Sequence, residues 1–108
     1  MRDFPVEVPA EADFRRVETA VEKCCSEMGL IQAMKGTLAK YPGCVHWHYK
    51  KPRVSGTLEV TWWPRERQLW ITVHKRRRAE WVEEALPIIR RCLEECVWET
   101  SSYLASQL

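Results

Sequence analysis

The sequence contains no asparagine and little glutamine, and its arginines outnumber its lysines. Depletion of thermolabile amides is typical of proteins from thermophiles, which is the origin that this composition predicts. The chain also lacks a phosphate-binding glycine loop, a nucleophile elbow and a paired-carboxylate motif. These absences argue against the common hydrolase and nucleotide-binding classes, and we predict that the protein is not an enzyme.

Long hydrophobic runs are absent as well, since no apolar stretch approaches the ~18 residues of a membrane span. The first residues, MRDFPVEVPAEADF, are acidic and interrupted by prolines, unlike a signal peptide. The five cysteines are an odd number, and their spacing matches no common zinc motif. We predict a cytoplasmic protein without a membrane partner. Its cysteines are either small buried residues or form a disulfide from Cys24 or Cys25 to Cys92 or Cys96.

The chain, residues 1–108, is long enough for one domain only. Prolines in residues 1–9 predict an extended, flexible lead. From about Ala10 apolar residues recur at spacings of three and four, which predicts a helix that Gly29 ends. The same spacing over residues 30–41 predicts a second helix, or a bend in the first. The residues with this spacing are Phe14, Val17, Val21, Cys24, Met28, Leu30, Ile31, Met34, Leu38 and Tyr41.

Between residues 44 and 74 the period of the apolar residues changes to two, which predicts three antiparallel strands in a meander. The predicted fold class is therefore α+β, with a three-stranded or four-stranded antiparallel β-meander, N-terminal helices and a long C-terminal helix on one face. The apolar face of the meander should pack against the helices. It consists of Val45, Trp47, Tyr49, Leu58, Val60, Trp62, Leu69, Ile71 and Val73.

The last helix is predicted from about Ala79 to beyond Val97, in a C-terminal segment that spans residues 79–108. Pro87 lies inside it and should kink it, at a cost near ~3 kcal/mol that packing must offset. The apolar stripe of this helix is wider than one small sheet needs, which predicts a homodimer through the C-terminal helix. Further apolar residues that favour such a contact are Trp98, Tyr103 and Leu104.

The second face of the predicted sheet is polar but carries Trp63 and Trp70. These two residues become diagonal neighbours, on which bases could stack at about 1–3 kcal/mol each. Cover by the N-terminal segment or by a second subunit is the alternative interpretation of the two rings. The register that aligns the apolar faces places His48 beside Glu59 and Thr72, and His46 beside Thr61 and Trp70.

Positive charge is concentrated in Cys44 to Arg78, which holds nine basic residues against two acidic ones. Lys75 to Arg78 directly precede the last helix. The N-terminus of a helix carries a partial positive charge, so cations are unfavourable there and a phosphate would bind. The alternative is a run of charged residues that only contacts solvent. The concentration of positive charge in one segment predicts a polyanionic partner for one face of the protein. The predicted nucleic-acid-binding residues are Trp63, Trp70, His46, His48, Lys50, Lys51, Arg53, Arg65, Arg67, His74, Lys75, Arg76, Arg77 and Arg78.

The histidines point to a candidate metal site, because His46 and His48 lie on one strand face and the predicted register brings Glu59, His74 and Cys44 near them. His74, however, lies across the predicted sheet from His48, so we expect the set to lack a compact geometry. We predict a cross-strand His48–Glu59 pair instead, with no metal, no other cofactor and no catalytic residue.

The layout over residues 30–100 resembles the ThermoDBP type of archaeal single-stranded DNA-binding protein and its relatives. The similarity is in a small antiparallel sheet with helices, an aromatic cleft with a basic rim, and association through a C-terminal helix. Trp63, Trp70 and His46 would line the cleft, with cations at 65–67 and 75–78 on the rim. The resemblance implies non-specific binding of single-stranded nucleic acid without catalysis, and we predict this function, with DNA favoured over RNA.

Two other functions stay open from the sequence. The order of helix, meander and helix resembles the double-stranded RNA-binding domain, and KRRRAE is similar to the basic start of that domain's second helix. The loop over residues 51–56 of this chain lacks the histidine that the family uses to contact the minor groove. The open sheet face of that family does not normally carry tryptophans. The third function is that of an interaction subunit whose open sheet face contacts a protein.

Overall fold

In the computed structural model, the backbone is described for residues 2–77 and 79–107 and the side chains for residues 2–76 and 79–98. In these residues, one helix follows the first strand and another ends the chain. The elements are β1 (Arg2–Val6), α1 (Phe14–Glu27), β2 (Ile31–Gly36), β3 (Val45–Lys50), β4 (Leu58–Trp63), β5 (Gln68–Val73) and α2 (Glu80–Gln107). The strands form one antiparallel sheet in the order β1-β5-β4-β3-β2.

The central meander has the register that the apolar period predicts. His48 lies opposite Glu59, and Glu59 lies opposite Thr72 on the next strand. Because side chains alternate between the two faces of a sheet, one register buries every second residue of β3, β4 and β5 together. The predicted apolar face is indeed buried in the core, except for Val45, which is half-buried.

The predicted number of strands is wrong, because two edge strands extend the meander to a five-stranded sheet. Residues 2–6, predicted to be a flexible lead, form β1 and pair with β5. Pro5 lies within β1, where an edge position tolerates a residue without an N–H group. The periodicity of the sequence did not reveal β1, since it is short and contributes only Val6 to the fully buried core.

The predicted second helix over residues 30–41 is also wrong, and one N-terminal helix is present in the described residues instead of two. Residues Ile31–Gly36 form β2, which pairs with β3 and places Met34 opposite His48. The side chains of β2 are almost all exposed, so their apolar spacing does not mark a buried helical face. Backbone pairing with β3, rather than side-chain burial, sets the conformation of this segment.

Helix α1 begins at Phe14, four residues later than predicted, because Asp13 caps it. The Asp13 carboxylate accepts a hydrogen bond of 2.7 Å from the Arg15 backbone N–H, as is usual at the start of a helix. The predicted buried face is confirmed at Val17, Val21 and Cys24, while Phe14 is exposed. Gly29 follows the helix with a φ of 75°, a conformation that glycine adopts readily.

A disulfide between Cys24 and Cys92 joins α1 to α2, which pack beside each other on the apolar face of the sheet. It is one of the pairings that the sequence left open. The Cys96 thiol lies near the same bond, with its Sγ 3.7 Å from Cys24 Sγ. Cys25 is buried beside them, and burial raises the pKa of its thiol to about 12. A thiol with so high a pKa is a poor nucleophile, which leaves Cys25 inert.

Three tryptophans of the core, Trp47, Trp62 and Trp81, are buried with their polar atoms paired. An unpaired buried N–H group would cost free energy, so each indole needs an acceptor. The acceptors are the Glu22 carboxylate at 3.1 Å, the Phe14 carbonyl at 3.0 Å and the Ser55 carbonyl at 2.7 Å, respectively. The first two rings therefore tie α1 to β3 and β4, and the third ties α2 to the β3–β4 loop.

Helix α2 begins one residue later than predicted and contains Pro87 at an exposed position. Ile88 and Trp98 are also exposed on it, while the side chains of Tyr103 and Leu104 lie outside the described residues. The homodimer through this helix stays a prediction. As far as the structure describes them, neither α1 nor α2 has an apolar stretch that matches the thickness of a bilayer.

Candidate functional site

The sheet face opposite the helices carries polar side chains that are nevertheless buried. Thr61 and Thr72 are among them, with His46 and Glu59. One wall of the site is β1, whose Asp3 accepts a 2.7 Å hydrogen bond from the Thr72 hydroxyl. The opposite wall comprises β2 and the loop over residues 37–44. They enclose a cavity of about 740 Å³, lined by Asp3, Met34, Leu38, Lys40, Tyr41, His46, His48, Glu59, Thr61, Trp70, Thr72, His74, Lys75 and Arg76.

Tyr41 connects the two tryptophans of this face. Its ring centroid lies 5.0 Å from that of Trp63 and 5.0 Å from that of Trp70, in tilted and edge-to-face arrangements. The Trp63 indole N–H also donates a 3.0 Å hydrogen bond to the Pro42 carbonyl. The β2–β3 loop therefore covers part of both rings, and β1 lies beside Trp70. Cover by a second subunit stays a prediction. Both tryptophans remain half-buried.

The sequence does not predict the role of Tyr41, because the spacing of Tyr41 from Leu38 is also typical of a helix. Pro42 and Gly43 directly after it were the available signal, since this dipeptide marks a turn rather than a helix end alone. A turn there returns the chain over the sheet and places the tyrosine ring against the tryptophans.

The histidines of the chain, three in number, all converge on Glu59. Its Oε1 atom lies 3.0 Å from His46 Nε2 and 3.2 Å from His48 Nε2, and its Oε2 atom lies 2.8 Å from His74 Nε2. The two Nε2 atoms of His46 and His48 are 3.1 Å apart. The predicted His48–Glu59 pair is therefore present, within a larger cluster that we call the His–Glu cluster: His46, His48, Glu59 and His74.

The expectation that the candidate metal residues lack a compact geometry is wrong for three of them, whereas the Cys44 thiol contacts the Leu38 backbone instead. Ligand atoms of His46, His48 and Glu59 all lie within 4.8 Å of one another. Glu59 stands on the central strand β4 between β3 and β5, so its two carboxylate oxygens reach histidines from both sides. His74, one residue beyond β5, can turn back toward the sheet because the strand has ended there.

The ionisation of Glu59 follows from these neighbours. Burial raises the pKa of the carboxyl group, but the hydrogen bond from His46 and the nearby charges of His48 and His74 outweigh it, so the pKa lies below its usual value. His46 is held from its other side, with Nδ1 2.8 Å from the Thr61 hydroxyl oxygen. The site thus contains a buried carboxylate among oriented imidazoles.

The predicted cations lie in several different surroundings. Lys75 and Arg76 line the cavity, in a 3-10 turn just before α2. Lys50 donates a 3.1 Å hydrogen bond to Thr57, and with Arg76 and His48 it lines a neighbouring cavity of about 350 Å³. The side chain of Arg77 and all of Arg78 lie outside the described residues. Lys51, Arg53 and Arg65 are exposed in the loops that follow β3 and β4.

Arg67 has a structural role that its placement among the phosphate-binding residues did not predict. Its Nη2 atom donates hydrogen bonds to the Pro9 carbonyl, at 2.9 Å, and to the Ala12 carbonyl, at 2.6 Å. Its guanidinium carbon lies 6.0 Å from the centroid of the buried Trp62 ring. The side chain therefore attaches the segment before α1 to the β4–β5 turn.

We expect Arg67→Ala to lower the free energy of unfolding by about 2 kcal/mol, because hydrogen bonds to a charged group are lost and two carbonyls lose their donor. Arg65→Ala, in the same turn but exposed, is the matched control and should change stability by less than about 0.5 kcal/mol. Urea unfolding of both variants measures the difference. Equal stability of the two variants would contradict the structural role of Arg67.

Three cavities adjoin one another across this face and form one trough. The largest shares His48 and Arg76 with the cavity at Lys50, and it shares Asp3, Tyr41 and Trp70 with a third cavity of about 580 Å³. We call this continuous surface the trough. It runs from the end of β3 past the His–Glu cluster to the aromatic rings.

Comparison of the chain with family models, with curated proteins and with solved structures finds no match in any of the three. The resemblance to the ThermoDBP type therefore stays a prediction. Conclusions about function rest on the trough itself.

Proposed function

We propose that the protein binds single-stranded nucleic acid in the trough, with DNA favoured over RNA. The observation that carries this proposal is the continuity of the trough, in which aromatic rings and cations line one elongated surface. No covalent step is part of the proposal.

Bases would contact the aromatic end of the trough. Trp70 lines two of its cavities and remains half-buried, so part of its ring is accessible beside Tyr41. Stacking on an aromatic ring tolerates any base, which agrees with binding that lacks a sequence preference. Thr61 and Thr72 already have the hydrogen-bond partners described above, so base-specific readout by these hydroxyls is not expected.

Phosphates would contact the cationic side of the trough. Lys75, Arg76 and Lys40 line the largest cavity, and Lys50 extends the positive charge toward the next one. Lys75 and Arg76 are exposed, so their charges are available to a ligand. The Glu59 carboxylate is buried and contacts the three histidine rings, so it is not exposed to a phosphate backbone nearby.

Titration of labelled single-stranded DNA, single-stranded RNA and duplexes, each at two salt concentrations, tests the proposal. Single strands should quench tryptophan fluorescence and bind more tightly than duplexes, with an affinity that falls as salt rises because counterions are released. Tighter binding of duplex RNA would replace this proposal with recognition of helical shape. Unchanged fluorescence and mobility at low salt would refute nucleic-acid binding.

Trp70→Ala should weaken binding of a single-stranded oligonucleotide between about 5-fold and 150-fold, which corresponds to the loss of one stacked base at about 1–3 kcal/mol. Trp98→Ala is the matched control, because Trp98 is an exposed tryptophan on α2, away from the trough. Fluorescence anisotropy of a labelled oligonucleotide measures both affinities. Equal affinities of the two variants would show that Trp70 does not stack on a base.

A further inference from the structure

The His–Glu cluster has the spacing of a metal-ligand set. His46 Nε2, His48 Nε2 and Glu59 Oε1 form a triangle with edges of 3.0, 3.1 and 3.2 Å. Tetrahedral zinc holds nitrogen and oxygen ligands at about 2.0–2.1 Å, which separates any two of them by about 3.3–3.4 Å. Each edge of the triangle is within a few tenths of an ångström of that separation, so a metal ion fits above it after a small outward shift of the ligands.

The surroundings of the triangle orient it for metal binding. When His46 Nδ1 carries the proton, it donates to the Thr61 hydroxyl at 2.8 Å, and the Nε2 lone pair faces the cluster. His74 Nε2 lies 2.8 Å from Glu59 Oε2, so it can hold the carboxylate while Oε1 binds the metal. Metal-binding histidines and carboxylates are normally held by outer hydrogen bonds of this kind.

We propose that His46, His48 and Glu59 bind a divalent transition metal ion of the zinc type, with His74 and Thr61 as positioning residues. Two imidazoles and one carboxylate are ligands that zinc and its neighbours in the first transition row prefer, whereas calcium and magnesium prefer oxygen alone. Three protein ligands leave a fourth position open. All three ligands line the trough, so that position is accessible to a water molecule or to an anion held by Lys75 and Arg76.

A second group of ligand atoms requires a control. The sulfur atoms of Cys24, Cys92 and Cys96 also lie within 4.8 Å of one another. Two of these cysteines form the disulfide, and a disulfide sulfur is not a thiolate ligand. The oxidised chain should therefore bind metal at the His–Glu cluster and not at the cysteines.

Titration of the metal-free, oxidised full chain with Zn²⁺ alone tests this proposal without any nucleic acid. We expect one equivalent to bind, and His48→Gln to weaken binding at least 100-fold, because a ligand is lost. Cys96→Ser is the matched control and should bind zinc as the unmodified chain does. Thermal unfolding of zinc-free His48→Gln, followed by circular dichroism, checks the fold and should match that of the unmodified chain, because His48 is only half-buried.

Co²⁺ gives an independent readout that needs no variant. Cobalt bound to nitrogen and oxygen ligands should show visible absorption of a four-coordinate or five-coordinate ion, without the near-ultraviolet band of thiolate coordination. Absence of binding, a thiolate band, or equal zinc affinity of His48→Gln and the unmodified chain would each overturn the proposal.

Discussion

Reduction of the Cys24–Cys92 disulfide is expected to lower the free energy of unfolding by about 4 kcal/mol, the largest change that we predict for this protein. The bond closes a loop of 68 residues in sequence, so it removes much of the conformational freedom of the unfolded chain. Loss of one such cross-link is a large fraction of the stability of a domain of this size. Urea unfolding with and without a reductant measures the effect.

Because of Cys96, the two variants that each lack one cysteine of the disulfide should differ in stability. Its Sγ lies 3.7 Å from Cys24 Sγ, so Cys92→Ser can form a Cys24–Cys96 disulfide under oxidising conditions and lose only part of the stability. Cys24→Ser removes the cysteine that both bonds share, so neither of these disulfides between α1 and α2 can form and the full amount should be lost. If reduction left the unmodified chain as stable as before, the predicted contribution of the disulfide would be wrong.

Gly56→Ala is expected to lower the free energy of unfolding by about 3 kcal/mol or more, through strain and overpacking together. Gly56 has a φ of 109°, which residues with a Cβ atom rarely adopt. An added Cβ would lie 2.7 Å from Ala79 Cβ and 2.9 Å from Trp81 Nε1, at the point where the β3–β4 loop meets the start of α2. The 2.7 Å hydrogen bond from Trp81 to the Ser55 carbonyl would be disturbed as well.

Gly43→Ala separates these two causes. Gly43 has a φ of 81°, but an added Cβ would have no atom within 4 Å. Only the cost of the left-handed backbone conformation applies, so Gly43→Ala should lower the free energy of unfolding by about 1–2 kcal/mol. Thermal and urea unfolding of the two variants give the comparison. A loss at Gly56 no larger than that at Gly43 would show that the loop moves away from α2 without cost.

The central meander was predictable because its information is local. Alternation along β3, β4 and β5 identifies the buried face, and the buried face together with the lengths of the connecting turns sets the register. That register correctly placed His48 beside Glu59, and it assigned Trp62 to the core. The edge strands β1 and β2 lack such a signal, because few of their side chains are buried. Backbone hydrogen bonds to the neighbouring strands hold them, and these bonds form with almost any side chain.

The site was predictable only in part for a related reason. The pattern placed His46, Trp63 and Trp70 on one face, which is where the structure has them. It did not show that the Tyr41 ring contacts both tryptophans, or that His74 turns back to Glu59. Both facts depend on where the chain goes after a strand ends, and strand periodicity carries no information beyond that point.

The sequence by itself determined the buried face of the meander, the cationic segment beside it and the placement of two histidines and a carboxylate on the opposite face. Only the tertiary structure decided that the edge strands wall this face into a trough, that Cys24 pairs with Cys92, and that Arg67 holds the segment before α1. The physical reason is that periodicity reports which side of an element is buried. Contacts between distant segments depend on how elements pack, and that is a property of the whole chain.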